Sequence, residues 1–346
     1  MCPASAKKTS TASPTRPRRP ARCRRRLPGS RSPSRRASPD VGAKKRADAV
    51  KRVVLAGASG LIGTALTDAL RARGDEVVRL VRANPGPGDV LWDPAERRLD
   101  AGVVDGATAV VNLSGASIGR LPWTSGYKRE ILSSRIDATS TLVTAITAAR
   151  VAPEVFVSAS ASGFYGSRPR EELTEESPRG TGFLSDVTAE WERTALRAAD
   201  VTRVVLARSG IVVATDGVLK PLLVLTRAGI SGPLAGGKQL WPWVSLDDEI
   251  GGLLHVLDGT VSGPVNLVGP TPGSANDLMR HLAARMKRPF FLPVPGFAVT
   301  AVLGDAARDL LLVDQHPHPK RLLDDGYVFR HTTVEQAVDA ALRRRR

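Results

Sequence analysis

The stretch VVLAGASGLIG, residues 53–63, decides the fold. Apolar residues typical of a buried strand lead directly into Gly57, Gly60 and Gly63, and an apolar helix pattern follows. In this context the first glycine permits a tight turn, the second lets the backbone approach a pyrophosphate, and the third lets the helix pack closely on the sheet. The free N–H groups at the start of the helix attract phosphates. The stretch therefore predicts a dinucleotide-binding turn, with an ordinary strand-to-helix turn as the alternative.

Downstream, apolar strands alternate with amphipathic helices up to Gly210. Strands separated by helices pair in parallel through right-handed crossovers, so the pattern predicts a doubly wound parallel α/β sheet of the Rossmann type. Beyond Gly210 the regular alternation of strands and helices ends, and Gly and Pro become frequent. We expect an NAD(P)-binding domain over 50–215 and a smaller C-terminal, substrate-side lobe over 216–342, with helices near 246–257, 274–286 and 334–344.

The positive charge is concentrated at the start of the chain. The net charge is +16, of which +13 falls on residues 1–49 and +3 on the rest. This basic head is rich in Arg, Pro and Ser and poor in large apolar residues, so we expect it to be disordered. Three interpretations stay open for it: a weak polyanion-binding arm, an organelle transit peptide, or a segment outside the working protein.

Several classes of protein are disfavoured by what residues 50–346 contain. Both cysteines, Cys2 and Cys23, lie in the head, so the body has no cysteine metal site. The motif HPHPK, 316–320, offers two histidines without a third ligand, and we expect no metal. No long uncharged apolar run predicts a membrane span, and a cytoplasmic location is the simplest expectation, with organelle targeting as the alternative.

The second strand indicates which nucleotide binds. An acidic residue at its end would bond the ribose 2′-hydroxyl of NAD. Here the strand ends in LVRAN, with Arg79 and Arg82 and no acid. A guanidinium suits a 2′-phosphate by charge and by its fork of donors. The sequence therefore predicts NADP(H) rather than NAD(H), with a solvated strand-end charge as the alternative for Arg82.

A family resemblance extends over residues 52–342. The motifs that carry it are GASGLIG (57–63), LWDP (91–94), VVNLSGASIG (110–119), SSR (133–135), SASASGFYG (158–166), LTEESPRGTGFL (173–184), AEWERTAL (189–196), LARSGIVV (206–213), GISGPLAGGKQLWPWVSLDD (229–248), GPVNLVGPTP (263–272), RPFFLPVP (288–295) and HPKRLLDDGYVF (318–329). The chain resembles the extended short-chain dehydrogenase/reductase superfamily and, within it, the epimerase family proteins similar to nucleoside-diphosphate-sugar epimerases. That group has a characteristic C-terminal domain, which the resemblance places at about 289–340.

The resemblance implies roles for individual residues. The pyrophosphate is expected on the glycine turn, at Gly57, Ser59, Gly60, Leu61, Ile62 and Gly63. Arg82 would meet the 2′-phosphate, and Leu113, Ser114 and Gly115 would lie along the adenosine ribose and phosphates. Ser158 to Ser160 would face the nicotinamide.

The reactive pair of the superfamily, Tyr-x-x-x-Lys, is missing. None of the three tyrosines has a lysine four residues on. Phe183 stands where the tyrosine is expected, and Val187 where the lysine is expected. Neither side chain can exchange a proton, so the usual hydride mechanism needs another proton donor.

Three residues are candidates for that donor. Ser160 stands at the superfamily's substrate-orienting position, with Ser158 and Ser162 as alternative registers. Tyr165 is a phenol beside the same strand end, with packing as its alternative role. Lys128 lies on the helix after the fourth strand, where it is either near the cofactor, as Arg135 would be, or a surface charge.

Two features of the later lobe are also ambiguous. Trp241 and Trp243, in the loop AGGKQLWPW, suit either a ring of a substrate or a purely structural role. Ser245 replaces a histidine of the family's Trp-Ile-His-x-Asp-Asp motif, and Asp247 is expected to cap or brace the next helix.

Two functions follow from these observations. The first is an NADP(H)-dependent epimerase/dehydratase-like oxidoreductase that acts on a nucleotide-sugar-like or other small carbonyl or hydroxyl compound. The second is a non-catalytic NADP(H)-binding sensor or scaffold, because some members of the group are named as cell-division-related. Nucleic-acid binding through the basic head is a third and weaker interpretation.

Overall fold

The computed structural model describes residues 50–344. The predicted disordered head, 1–49, lies outside the described residues, as do residues 345–346. From Val50 onward the chain forms one compact unit. The strands are β1 Arg52–Ala56, β2 Glu76–Val81, β3 Asp89–Leu91, β4 Ala109–Asn112, β5 Val155–Ala161, β6 Glu172–Leu173, β7 Arg203–Ser209, β8 Ile211–Val213, β9 Trp243–Ser245, β10 Gly263–Leu267 and β11 His316–Pro317.

The α-helices alternate with these strands in the first part of the chain and dominate its last part. They are α1 Leu61–Ala72, α2 Ser125–Ala148, α3 Phe183–Ala195, α4 Leu219–Arg227, α5 Leu246–Asp258, α6 Ala275–Arg285, α7 Gly296–Leu303, α8 Lys320–Asp324 and α9 Val334–Arg344. The helices predicted in the later lobe are therefore confirmed to within one residue at each end.

Seven parallel strands form the central sheet in the order β10-β7-β5-β4-β1-β2-β3. Alternate residues of β1 point to opposite faces. Val53 and Leu55 pack with α1 and α5 on one face, whereas Val54 and Ala56 pack with α2 and Phe156 on the other. Helices thus cover both faces, and the predicted doubly wound fold is confirmed.

The sheet also draws on the later part of the chain. Strand β10 pairs in parallel with β7 at the edge of the sheet, and α5 packs beneath β7, although both lie inside the range 216–342 that was predicted as a separate lobe. Apolar contacts along Val265 and Leu267 bring this segment back to the sheet. The boundary at 215 therefore does not separate the sheet from the lobe.

A separate apolar cluster stabilises the C-terminal part. It joins α4, α6 and α9 around Trp241 and Trp243, which are both buried. The indole N–H of Trp243 donates to the Thr271 carbonyl at 3.0 Å, and Gly269 and Gly273 lie against its ring. The two tryptophans are therefore core residues, and the structural alternative for the WPW loop is the one observed.

The glycine turn between β1 and α1 depends on close contacts between backbones. Gly57 has a φ of +82°, and a Cβ there would fall 2.6 Å from the carbonyl carbon of Leu113. A Cβ on Gly63 would fall 2.1 Å from the Gly57 oxygen. Both positions therefore exclude a side chain on packing grounds alone.

These contacts predict that Gly63→Ala lowers the free energy of unfolding by about 2–3 kcal/mol, because helix α1 must move off the turn. Gly60→Ala serves as the matched control, since its nearest neighbour is the Gly57 oxygen at 3.5 Å and its φ is −77°. We expect the control to stay within about 1 kcal/mol of the wild type. Urea denaturation measures both variants, and equal stabilities would contradict the packing role of Gly63.

Candidate active site

A cleft of about 1180 Å³ opens at the carboxyl ends of β1, β2 and β4. Parallel α/β sheets bind their ligands at this edge. Of the residues predicted for the cofactor, those that line the cleft are Gly57, Ser59, Gly60, Arg82, Leu113, Ser114 and Gly115. The structure thus brings together the turn, the strand-end arginine and the loop after β4.

Four of the predicted cofactor residues do not line this cleft. Gly63 lies beneath the turn, and Ile62 packs against the apolar cluster of the sheet. Leu61 lines a neighbouring groove between α1 and α5. Ser158 is fully buried within β5 and does not line this cleft, and its place facing the nicotinamide stays a prediction.

The loop after β4 is held by a buried polar network. The Asn112 side-chain oxygen accepts from the Ser114 N–H at 3.1 Å, and its amide donates to the Thr139 hydroxyl on α2 at 2.9 Å. The Ala116 N–H donates to the Ser134 hydroxyl at 2.9 Å. Helix α2 therefore fixes the loop at the floor of the cleft. The sequence offered a signal for this in NLSG, where Asn112 ends the strand.

The arginine within β2, Arg79, and the one just after it, Arg82, differ in their partners. Arg79 forms two parallel hydrogen bonds with Asp89, both at 2.7 Å, and this guanidinium holds the pKa of the Asp89 carboxyl below its ordinary value. Arg82 is exposed at the wall of the cleft and makes no ion pair or hydrogen bond within residues 50–344. Arg82 is therefore the one of the pair that is available to a phosphate.

The segment after β3 forms the outer wall of the cleft, a role that was not predicted from the sequence. Trp92, Asp93, Arg98 and Asp100 all line the cleft. The motif LWDP, residues 91–94, marks this segment in the sequence. Its spacing alone does not show that the segment folds over the edge of the sheet where the cleft lies.

Phe183 opens α3 at the position expected for the tyrosine. Its ring packs edge-to-face on Trp123 with centroids 5.5 Å apart, and the Lys128 ammonium lies 5.1 Å from its centroid. Val187, one turn on, is buried. The predicted site thus holds an apolar ring, and Lys128, from α2, is a titratable group beside it.

The segment after α7 brings two carboxylates, Asp305 and Asp309, to the start of α3. Lys128 is ion-paired with Asp305, and its ammonium lowers the pKa of that carboxyl. Asp309 accepts from the Leu184 N–H at 3.3 Å, and burial raises the pKa of Asp309. The segment after α7 therefore closes over the start of α3. These contacts were not predicted, because 125 residues separate Leu184 from Asp309 and 177 separate Lys128 from Asp305.

Ser160 belongs to a buried ion-pair network. Its hydroxyl donates to Glu192 at 2.6 Å, and Glu192 also pairs with Arg208 through two hydrogen bonds of 2.8 and 2.9 Å. The hydroxyl proton is thus committed to a carboxylate that a buried cation holds in place. This contact does not suit Ser160 as a proton donor to substrate.

Tyr165 lies in the same network and is fully buried. Its hydroxyl donates to the Asn266 side chain at 2.7 Å and accepts from Arg208 at 2.9 Å. Burial raises the pKa of the Tyr165 phenol, which opposes acid–base work near neutral pH. The structure therefore gives Tyr165 its alternative, packing role rather than the catalytic one. Of the three candidates, Lys128 alone lies at the head of α3.

The acidic first turn of α5 lies close to a histidine from a distant part of the chain. Ser245 caps α5 by accepting from the Asp248 N–H at 3.0 Å, whereas Asp247 pairs with Arg344. The His331 ring lies 3.0 Å from the Ser245 hydroxyl and 3.3 Å from Asp248. An imidazole therefore lies beside Ser245, the residue that replaces the family's histidine. The cap is made by Ser245, not by Asp247 as one expectation had it.

Comparisons with known proteins give the family context. The model of the NAD dependent epimerase/dehydratase family matches residues 53–269, and the model of a domain of unknown function, DUF1731, matches residues 294–341. The epimerase family protein ML0860 of Mycobacterium leprae is 37% identical over 297 residues, which cover 84% of this chain and 96% of that protein.

Two solved structures are similar to this chain in both fold and sequence. The crystal structure of human epimerase family protein SDR39U1 (isoform 2) with NADPH has a TM-score of 0.78 at 33% identity, and the match covers 84% of this chain and 99% of that one. The nucleoside-diphosphate sugar epimerase from Corynebacterium glutamicum has a TM-score of 0.70 at 31% identity, covering 85% and 58% of the two chains. The human protein's NADPH agrees with the cofactor predicted from Arg82.

Glu249 makes the stability of the protein depend on pH. It is completely buried on α5, and one carboxyl oxygen accepts from the Ser209 hydroxyl at 2.6 Å while the other has no partner. Burial raises the pKa of Glu249 to about 7. Because the folded state favours the protonated acid, its contribution to stability is present below the ordinary pKa near 4.5 and is lost as the pH rises through 7.

We therefore predict that Glu249→Gln becomes more stable relative to wild type as the pH rises from about 5 to about 8, by roughly 3 kcal/mol. Urea denaturation at the two pH values measures the difference. Glu190→Gln, an exposed change on α3, is the control and should show no such trend. Parallel pH profiles for wild type and Glu249→Gln would sink this prediction.

Proposed function

Since the chain belongs to the NAD dependent epimerase/dehydratase family, as its motifs predicted, we propose that it binds NADP(H) and catalyses hydride transfer on a small carbonyl or hydroxyl compound. We further propose that the substrate resembles a nucleotide sugar and that Lys128 replaces the missing tyrosine. The observation that carries the proposal is the cleft, with the glycine turn at one wall and the unpaired Arg82 at another.

The residues of the cleft fit an NADP(H) molecule. A Cβ on Gly60 would meet only the Gly57 oxygen, at 3.5 Å, so there is room for a pyrophosphate at the start of α1. The first N–H groups of a helix have no partner within the helix and attract phosphates. Arg82 would pair with the 2′-phosphate through charge-assisted hydrogen bonds. Ser114 and Gly115 would border the ribose and phosphates. Bound there, the nicotinamide supplies or accepts a hydride.

Lys128 would manage the proton that accompanies hydride transfer. Its ammonium is placed at the head of α3 by Asp305 and by the Phe183 ring. In the reducing direction a proton would pass from Nζ to the substrate oxygen as the carbonyl becomes a hydroxyl, and the reverse transfer would serve oxidation. The C. glutamicum relative, a nucleoside-diphosphate sugar epimerase by name, supports the class of substrate.

A second candidate function is a non-catalytic NADP(H)-binding sensor or scaffold. The observation that favours it is the apolar cluster at the expected reactive position, where Trp123, Phe183 and Leu310 pack together. Ser160 and Tyr165 are both committed to buried partners. A cleft that binds the cofactor without turning over any substrate would fit this function.

Location and other partners stay predictions. Within residues 50–344 the structure contains no helix long and apolar enough to cross a bilayer. A cytoplasmic location rests on the body's lack of cysteines. Weak nucleic-acid binding would involve only the head, outside the described residues.

Arg82→Glu tests the cofactor assignment. Replacing the guanidinium by a carboxylate should weaken NADPH binding by about 100-fold, since an attraction to the 2′-phosphate becomes a repulsion, while NADH binding stays within about threefold. Fluorescence titration with each nucleotide gives the affinities. Arg227→Glu, the same charge change at an exposed position of α4, controls for overall charge. Unchanged NADPH affinity in Arg82→Glu would mean that another residue binds the 2′-phosphate.

Lys128→Met tests the proton donor. With NADPH and a panel of carbonyl compounds, including nucleotide sugars, we expect turnover to fall by about 100-fold or more while NADPH affinity is kept. Arg129→Met, at the neighbouring exposed position, should retain wild-type turnover. Turnover that survives in Lys128→Met would exclude Lys128 as the donor, and no turnover by the wild type would favour the sensor or scaffold function.

A further inference from the structure

Helix α7 is apolar on all its sides but is covered on only some of them. Its eight residues, GFAVTAVL, include no charged side chain, and Thr300 is the one polar residue among them. A helix that is apolar all round is normally buried. In α7, Val299 is buried, whereas Phe297 and Val302 are 79% and 76% exposed. One side of this helix is therefore without a partner among the described residues.

The chain segments that lead to α7 extend the exposed apolar surface. The Phe291 N–H donates to the Ser231 carbonyl at 2.9 Å, and the Ile230 N–H donates to the Leu225 carbonyl, near the end of α4, at 3.0 Å. These hydrogen bonds bring the approach to α7 against the segment that follows α4. We refer to the exposed apolar residues of this region as the apolar face: Val224, Ile230, Phe291, Leu292, Phe297 and Val302. Exposed apolar patches of this kind mark interaction sites.

The segments that build the apolar face contain cations and no carboxylate. Residues 217–246 and 278–304 together hold seven Lys and Arg and no Asp or Glu. Their net charge is thus +7, whereas residues 50–346 as a whole carry +3, so the rest of the body is acidic overall. Arg227, Lys287 and Arg288 are exposed and make no ion pair within residues 50–344. Positive charge is therefore concentrated around the apolar face.

The carboxylates that border these two segments are engaged elsewhere. Asp277 closes the capping box at the start of α6. Asp305 pairs with Lys128, and Asp247 pairs with Arg344. Asp216 lines the groove between α1 and α5. The cations beside the apolar face are thus not neutralised by the ends of their own segments.

The charge of this surface indicates what covers it. In a two-fold contact the same surface of each copy meets, so a second copy of the chain would bring these cations against one another. Apolar side chains surrounded by cations fit a surface that is negative outside and apolar within. A bilayer that contains anionic phospholipids has both properties, since its headgroups attract Lys and Arg and its acyl chains accept apolar side chains.

We propose that the apolar face binds the surface of a membrane that contains anionic phospholipids. Phe291 and Phe297 enter the boundary between headgroups and acyl chains, while Arg227, Lys287 and Arg288 lie at the level of the lipid phosphates. The contact is peripheral, because no helix within residues 50–344 is long and apolar enough to cross a bilayer. It goes beyond the proposed function and does not depend on it.

The test must separate the apolar face from the basic head, which would also attract anionic vesicles. The full chain with Phe297→Trp provides a reporter, because the five native tryptophans are each at most 9% exposed. The vesicles contain phosphatidylcholine with about 30% phosphatidylglycerol, and their acyl chains are brominated so that they quench an indole inside the bilayer. We expect Phe297→Trp to lose about half of the added fluorescence or more. Val328→Trp is the control, since Val328 is 83% exposed beside α5, and it should not be quenched.

Sedimentation with the same vesicles tests the two components of the contact. Phe291→Ser combined with Phe297→Ser should weaken vesicle binding by about tenfold or more, because the inserted rings are lost. Arg288→Glu should weaken it by about tenfold, whereas Arg71→Glu, the same charge change at an exposed position of α1, should stay within about threefold of wild type. All these positions are exposed, and urea denaturation verifies that each variant folds.

Four results would overturn the proposal. Vesicles that bind the full chain without quenching Phe297→Trp would assign the binding to the basic head. A chain that does not sediment with anionic vesicles has no such surface. In the absence of bromine quenching, emission from Phe297→Trp that shifts with protein concentration would show that a second copy covers the face. Emission that shifts only on addition of NADPH, again without quenching, would show that α7 folds over the cleft.

Discussion

Three backbone segments meet at the start of α1 with no room for a side chain between them. A Cβ on Gly57 would collide with the Leu113 backbone, and a Cβ on Gly63 would collide with the Gly57 oxygen. This contact brings β1, β4 and α1 together and leaves the outer surface of Gly60 open. The cleft, its free N–H groups and the placing of Ser114 and Gly115 all follow from it.

The two ends of the site are built differently. At the nucleotide end, polar groups are exposed and Arg82 is left without a partner among the described residues. At the reactive end, Phe183 packs in an apolar cluster, and the hydroxyls of Ser160 and Tyr165 are hydrogen-bonded in a buried network. The chain's own residues therefore account for binding of a nucleotide, whereas the proton transfer that we propose depends on Lys128 and on the segment that pairs with it.

The sequence predicted what depends on local patterning. These patterns extend over a few residues: the glycine spacing, the strand periodicity and the arginines at a strand end. They predicted the parallel sheet, the glycine turn and Arg82 as a residue of the cleft. Contacts between distant segments were not predictable. Three contacts depend on packing that the spacing of residues does not show. They are the pairing of β10 with β7, the ion pair of Asp305 with Lys128, and the hydrogen bond from Ser160 to Glu192. The burial of Ser158 and Tyr165 is of the same kind, because the spacing of residues does not show which way these side chains turn.

A crystal structure of the protein grown with NADPH would test the central claim most directly. We predict density for the nucleotide in the cleft of about 1180 Å³, with the pyrophosphate against Gly57 to Gly60 and the 2′-phosphate on Arg82. An empty cleft at saturating NADPH, or a nucleotide bound elsewhere on the surface, would contradict the account.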